Sequence, residues 1–411
     1  MNILLLGTTP ARYLPRVSRP GALGPRVNLR VLSTAVDREE TIHHILSRYF
    51  LDHQVKKLSK GEGLKAVGSL VEFVDQKQYM DPSFATNYGY KAPKSQTGLW
   101  TSIDVFNHTS NPQIYLTIGG AQAHKIGHGS FKVVSMGIDF NQVEPCAVLK
   151  LKNAPHPSEL KQFSEEATLT KELAKGQGLG PMEYATYQSS RKKVERARFY
   201  MPFAVYGEMA RYLRLNRDLS TSHLQQMMAS LLSQLVNLHD KGYCHRDIKT
   251  ENIFGFKNPD DPNEPKWALM DFGLASRDMH FKEMQGDLKF EDPSLFQLHA
   301  DDPDTRGHSH EAQKLADAYA MGLSFFHAFA GKPHPNQDMV FHLLMSMKKR
   351  EGRDFSEALA FRFEQTRKET LDLVKDDDLR YKLLDITHQL LQPRQQDRIS
   401  AHEAFKQLVK P

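Results

Sequence analysis

The sequence predicts an α+β protein with two lobes, a small β-rich one followed by a larger helical one, behind a helical N-terminal segment. Three observations carry this. Apolar and polar residues alternate from residue 113 onward, which is the two-residue period of a strand. After about residue 205 the apolar positions recur at helical spacing instead. An Asn-, Pro-, Gly- and Ser-rich stretch at 81–112 separates both from an earlier helical pattern, as a connecting loop would.

Residues 1–36 contain Arg12, Arg16, Arg19, Arg26 and Arg30 and no acidic residue. An organelle transit peptide has that composition. Pro10, Pro15, Pro20 and Pro25 would interrupt the amphipathic helix such a peptide needs, so a disordered basic tail is expected. Residues 37–80 read as a helical hairpin. Asp37 is placed to cap the first helix, with Glu40 three residues on. Ile42, Ile45, Leu46, Tyr49 and Phe50 follow at helical spacing, Gly61 and Gly63 end the run, and Leu64, Val67, Leu70, Val71 and Val74 start a second. Residues 81–112 are expected to be a linker. The main domain is expected at 113–411, its β-rich lobe at about 113–204 and its helical lobe at about 205–411. Strand character is clearest at Ile114–Ile118, Ala123–Ile126 and Ala147–Lys152, and a helix runs through Phe163, Ala167, Leu169 and Leu173.

The composition is that of a soluble globular chain, 411 residues with 40% hydrophobic and 25% charged. A net charge of +5 is small for this length, so nucleic-acid binding is not expected. Cys146 and Cys244 are the only cysteines. They exclude a disulfide framework and fit a reducing compartment, and both are expected to be small buried apolar residues. A cytoplasmic location follows as the expectation, with a bacterial secreted effector and an organelle-targeted protein as alternatives. The longest apolar run, near Ala318–Gly331, is too short to span a bilayer and contains His327. The first residues lack the positive start of a secretory signal.

The chemistry concentrates in His245-Arg246-Asp247-Ile248-Lys249-Thr250-Glu251-Asn252, followed nineteen residues later by Asp271-Phe272-Gly273. Phosphoryl transfer needs a carboxylate to orient the attacking hydroxyl and take its proton, a cation on the moving phosphate, and oxygen ligands for magnesium. Asp247 is the candidate base, Lys249 the cation, and Asn252 and Asp271 the metal ligands, whose oxygens suit a hard cation. An amphipathic helix at Leu224–His239 precedes them.

These residues resemble the eukaryotic-type, serine/threonine protein kinase family, and the resemblance covers roughly 118–407. It implies a two-lobed protein-kinase-like fold, ATP and Mg2+ as cofactors, and a protein substrate. It also implies upstream motifs, and matching residues are present. Ile126-Gly127-His128-Gly129-Ser130-Phe131-Lys132-Val133-Val134 is similar to the glycine-rich loop that covers the phosphates, with Lys132 in place of its third glycine. The family's strand lysine maps to Lys150, with Val148 as the small residue over the adenine; Lys152 is the rival position. Glu166 is the expected carboxylate partner on the next helix, with Glu165 as the alternative. Phe199–Ala204 resembles the hinge, whose backbone would bond the adenine, with Met201 as gatekeeper, and Phe203 and Phe254 map to the nucleotide-binding residues. Asp317–Gly322 resembles the helix that anchors the catalytic loop, and Leu391–Arg398 the closing segment with its structural arginine.

The activation segment departs from the family's pattern. In Gly286–Ser294, Ser294 replaces the glutamate that pairs with the arginine, here Arg398, so another acid is expected to serve, Glu311 being one choice. Asp287 replaces a threonine and is placed to hold Lys249. Glu283 stands where the family often carries a phosphate acceptor, and is expected to pair permanently with Arg246. The apparent insertion His299–His310 is expected to be a solvated loop, since His308 and His310 alone make no metal site. The competing functions are an active protein kinase, a pseudokinase-like scaffold, and a small-molecule kinase or nucleotidyl transferase on the same fold. The N-terminal hairpin is a candidate docking element for a protein partner.

Overall fold

The computed structural model describes the strands within 90–151, then 155–188, 195–216, 218–261, 264–277, 287, 289–295, 309–338, 340 and 356–410. The basic tail and the helical hairpin expected at 1–80 lie outside the described residues, as do Lys152, Glu283 and 296–308.

The described chain falls into two units, one of residues up to 171 with 180–203, the other of 172–179 with 204 onward. The first holds an eight-stranded sheet. Its strands are Tyr90–Lys91 (β1), Leu99–Phe106 (β2), Gln113–Gly120 (β3), Lys125–His128 (β4), Lys132–Asp139 (β5), Glu144–Leu151 (β6), Glu183–Gln188 (β7) and Glu195–Pro202 (β8). They run β1-β2-β3-β5-β6-β8-β7, with β4 also paired to β5. One long helix, Pro157–Gly176 (α1), lies between β6 and β7 in sequence.

The linker expected at 81–112 is corrected here. It contains β1 and the whole of β2, and all eight residues of β2 are in register with β3. Leu99, Thr101, Ile103 and Val105 supply the two-residue alternation that the surrounding turn-forming residues mask in the sequence. Residue 113 is therefore not the edge of the folded sheet.

The second unit is mostly helical. It holds Met209–Leu215 (α2), Thr221–Asp240 (α3), His310–Ala330 (α4), Ser356–Asp372 (α5), Asp378–Leu390 (α6) and Ala401–Val409 (α7), with a small sheet of Gly207–Glu208 (β9), Ile253–Phe256 (β10) and Lys266–Leu269 (β11). Caps fix the helix starts. Ser220, Ser309, Asp377 and Ser400 each accept a backbone N–H of the first turn, Ser400 within a full capping box with Glu403. Helix α3 buries Leu224, Met227, Met228, Leu231, Leu232, Leu235 and Leu238 along one stripe. Helix α4 passes so close to α6 that a Cβ on Gly322 would meet Leu390 Cβ and Leu391 Cγ at 3.0 Å. No described helix is long and apolar enough to cross a membrane. Cys146 and Cys244 are both buried free thiols, and burial pushes each one's pKa up.

Candidate active site

The helical unit builds its site from the hairpin β10–β11 and the loop after α3. Gln234 on α3 clamps β11, its side chain bonding both the N–H and the carbonyl of Leu269 at 2.8 Å. The register Ile253↔Leu269 then sets Asn252 beside Met270, whose N–H donates to the Asn252 carbonyl at 2.9 Å. This pairing folds a nineteen-residue separation in sequence into one place.

The loop after α3 is held in a strained conformation. Arg246 has φ 69°, a left-handed backbone that costs a non-glycine residue about 1 kcal/mol or more. Asp317 on α4 over-determines it. One carboxylate oxygen accepts the His245 N–H at 2.7 Å and His239 Nε2 at 3.0 Å, and the other accepts the Arg246 N–H at 2.9 Å. Burial pushes the Asp317 carboxyl up, but the His239 bond and the nearby histidines more than offset it and leave the pKa below the usual value. Burial lowers the pKa of His245. Its Nε2 donates to the Met270 carbonyl at 3.2 Å, and its Nδ1 accepts the Asp247 N–H at 3.3 Å. Its ring also lies 5.0 Å from that of buried Phe272. The helix α4 thus fixes the loop, and the loop fixes Asp247.

Around Asp247 the donors converge. Lys249 Nζ donates to both carboxylate oxygens at 2.8 and 2.9 Å. Asn252 Nδ2 donates to the Asp247 carbonyl at 2.8 Å and to Oδ2 at 2.9 Å. That orientation turns the amide oxygen of Asn252 the other way, so the side chain offers only an oxygen for a ligand. Asp271 is left-handed, φ 61° and ψ 65°, and opens a tight turn through Leu274. The donor set is therefore oxygen-only, which fits Mg2+.

Two expectations for the activation segment can be placed. Asp287 does not hold Lys249: its backbone N–H donates to Asp247 Oδ1 at 3.2 Å, while its carboxylate caps the Lys289 N–H at 3.1 Å. The partner of Arg398 is Asp292, not Glu311. The guanidinium meets both oxygens of Asp292 at 2.6 and 2.9 Å, and neither side chain is exposed. Glu311 is surface-exposed and pairs with Lys314 at 2.9 Å. Ser294, at the glutamate's place, donates instead to the Pro393 carbonyl at 2.6 Å. The acid has moved two residues upstream, a shift that a fixed-column comparison of the sequence misses. The expected Glu283–Arg246 pair falls outside the described residues. Within them, Glu291 feels Arg246: burial, Asp292, Asp247 and Asp317 raise its pKa, and Arg246 opposes them.

The sheet unit places the remaining residues by face. Helix α1 packs on the face that carries Tyr184, since the Phe163 and Tyr184 rings meet edge-on at 5.7 Å and the Tyr184 hydroxyl donates to the Leu160 carbonyl at 3.4 Å. Tyr184 pairs with Phe199, and Phe199 with Leu149. Directly paired residues share a face and neighbours alternate. Leu149 and Leu151 thus face α1, together with their β5 partners Val134 and Lys132. Val148 and Lys150 stand on the other face, in register with Tyr200 and Arg198. Val148 is fully enclosed there with Tyr115, Cys146, Ala185 and Tyr200, so it offers no surface to an adenine. The small residue opposite Met201 is Ala147.

On the α1 face, Glu166 accepts a 2.5 Å ion pair from Lys132, with the carboxylate side chain 5% exposed. Glu165 is a surface acid, 66% exposed and 3.8 Å from Lys161. Between the two sequence candidates, the buried and paired carboxylate is Glu166. Met201 is buried, and Phe203 and Phe254 are half-buried. Ile126 and Gly127 lie in β4, and Gly129 falls outside the described residues.

The chain matches the protein kinase domain family over residues 121–409. It is 26% identical over 297 residues to mitogen-activated protein kinase 9 of Arabidopsis thaliana, covering 68% of this chain and 55% of that one. It is also 26% identical over 197 residues to mitogen-activated protein kinase 9 of Oryza sativa subsp. japonica, covering 46% and 26% of the two chains. With cytokinesis protein sepH of Emericella nidulans it shares 26% over 211 residues, 51% of this chain and 14% of the other. The matched stretches thus span from 14% to 55% of these relatives' lengths.

Proposed function

The chain belongs to the protein kinase domain family, and from that premise we propose that it transfers the γ-phosphoryl group of ATP to a Ser or Thr hydroxyl of a protein. The observation that carries the reading is the convergence of Lys249 and Asn252 on one buried carboxylate, Asp247, itself held in place through Asp317. Asp247 orients the acceptor hydroxyl and takes its proton as the bond from that oxygen to the γ-phosphorus forms and the bond from the γ-phosphorus to the β,γ-bridging oxygen breaks, with ADP as the leaving group. Lys249, lying 2.8 Å from Asp247, is placed to meet the transferring phosphoryl group and offsets the negative charge on its oxygens. Asn252 and Asp271 would hold Mg2+, which would supply neutralising charge to the phosphate oxygens. The ion pair at Glu166 fixes a lysine for the nucleotide in the sheet unit. A scaffold that only docks partners has no chemical need for Asp247, Lys249, Asn252 and Asp271 together.

Incubating the purified full chain and a mixture of candidate protein acceptors with ATP labelled at the γ or the α phosphate tests this. Protein labelled only from the γ position is the expected result. Labelling from the α position would replace phosphoryl transfer by nucleotidyl transfer. Nucleotide binding with no labelling of either kind would leave the scaffold reading standing instead.

A further inference from the structure

We infer that Lys132, at the base of the β4–β5 hairpin, is the lysine that Glu166 holds for the phosphates of the nucleotide, in place of Lys150. This rests on the nucleotide-dependent reading above and assigns one of its residues. The first support is contact: Lys132 Nζ lies 2.5 Å from Glu166 Oε1. The carboxylate is almost wholly buried and needs a compensating charge there. An ammonium has three donors, so one lysine can meet a carboxylate and a phosphate together.

The second support is register, and it is independent of that contact. The ladder β5–β6 runs without a break from Lys132↔Leu151 to Asp139↔Glu144, and β6–β8 from Cys146↔Pro202 to Lys150↔Arg198. With no bulge, alternation is strict, so Lys132 shares the α1 face with Leu149 and Leu151, and Lys150 shares the opposite face with Val148 and Cys146. Burial raises the Cys146 thiol pKa and the Lys150 charge works against that rise, as expected for residues of one face. If the small residue that meets Met201 is Ala147, a lysine two positions later on the same face would stand at residue 149, and that residue is leucine. The cation missing there is supplied from β5.

The third support is position. Lys132 is the first residue of β5, directly after the Gly127–Phe131 stretch that the sequence likens to a phosphate cover. Its place is that of the motif's third glycine. The substitution thus removes a glycine and plants a cation at one spot.

The test compares Lys132→Met, Lys150→Met and the double variant Lys132→Met with Leu149→Lys in the full chain. It reads γ-phosphoryl transfer and, separately, binding of a fluorescent trinitrophenyl-ATP with Mg2+. Lys132→Met is expected to slow transfer by about 100-fold or more, the scale of losing one fixed charge at a developing anion. Lys150→Met is expected to lose roughly tenfold at most, and Leu149→Lys to restore at least about tenfold in the Lys132→Met background. A merely structural Lys132 would not be rescued from a neighbouring strand. The inference is overturned if Lys150→Met is as slow as Lys132→Met, or if the relocated lysine restores nothing. If Lys132→Met does not fold, Glu166→Gln takes its place, and full activity in that variant overturns the inference. If the wild type binds nucleotide but transfers nothing, the reading as an active enzyme fails alone, and the same ranking is then read from binding. If the wild type does neither, both fall.

Discussion

Replacing Asp292 with Ala removes a carboxylate from a place where neither it nor its partner Arg398 has any exposed side-chain surface, 0% for both. Asp292 accepts four bonds: two from the guanidinium at 2.6 and 2.9 Å, one from Gln395 Nε2 at 2.7 Å and one from the Ser294 N–H at 2.9 Å. Breaking a buried pair by removing one member costs about 3–5 kcal/mol, because the other charge stays buried. The lower end applies here. Arg398 keeps the Gln392 carbonyl at 2.8 and 2.9 Å and the Leu315 carbonyl at 3.0 Å. Its guanidinium also sits 4.7 Å over the Tyr319 ring. A loss of ~3 kcal/mol in a unit of this size lowers the thermal midpoint by roughly 6–12 °C. Urea unfolding of the wild type, Asp292→Ala, Arg398→Met and the double variant gives the coupling energy, expected at about 2 kcal/mol or more for groups in direct contact. Glu311→Ala, at an exposed acid, should stay within about 0.5 kcal/mol. An Asp292→Ala loss below ~1 kcal/mol, or a Glu311→Ala loss as large as that of Asp292→Ala, would refute the assignment of the pair.

Asp247→Asn keeps the shape and one acceptor oxygen but removes the base, so phosphoryl transfer should fall by about 10²–10⁴, and the unfolding midpoint should drop as well because buried Lys249 loses its ionic partner; transfer near the wild-type rate would dismiss Asp247 as base. Asp271→Ala should abolish the Mg2+-dependent part of nucleotide binding, measured by titration with and without the metal. A chain cut to 113–411 should lose soluble yield relative to one starting at 90, because all eight β3 residues would lose their β2 partners and become an open edge; equal yields and melting curves would argue that β2 is dispensable. Stability should fall on acidification through His334 and His388. Burial holds their pKa values at about 3 and about 4, against 6.5 for the free group. The unfolded chain therefore binds these protons first, and stability present above pH 6.5 is lost as the pH drops toward 4. From pH 7 to 5 the loss is roughly 2 kcal/mol per ring. Urea midpoints at both pH values should show it, and the His334→Gln, His388→Gln double variant should flatten that slope; an unchanged slope would exclude these rings as the cause.

The helical unit was largely legible in the sequence because its signals are local. The stripe on α3 declares a helix by spacing alone. The His-Arg-Asp segment and Asp271 are fixed by one hairpin whose two strands are short and close in sequence. The residues that hold them are less visible. Gln234, which clamps Leu269, and His239, which bonds Asp317, look like ordinary helix positions until the fold brings their partners from 35 and 78 residues away. Asp292 was missed for a different reason. A salt bridge needs an oxygen at the right place in space, and a loop reaches that place from more than one sequence position.

The sheet unit carried the harder problem, and it is a problem of faces. Cys146, Ala147 and Val148 are all buried, so β6 is covered on both sides and its hydrophobicity has no period-two signature. Without that signature, the spacing rule "small residue, then lysine two later" is met by Val148 and Lys150. It fails by one residue at Ala147 and Leu149. A slip of one residue exchanges every side chain between the faces, and only the cross-strand pairs, Ala147 with Met201 and Leu149 with Phe199, decide between the readings. One signal in the sequence did bear on the choice. Lys132 in place of the loop's third glycine weakens the likeness when motifs are counted. Taken as chemistry, it adds a cation next to the stretch that resembles the family's glycine-rich loop, on the face where Glu166 stands. A departure from a pattern that brings a charge of the needed sign to the needed face is better understood as relocation than as loss.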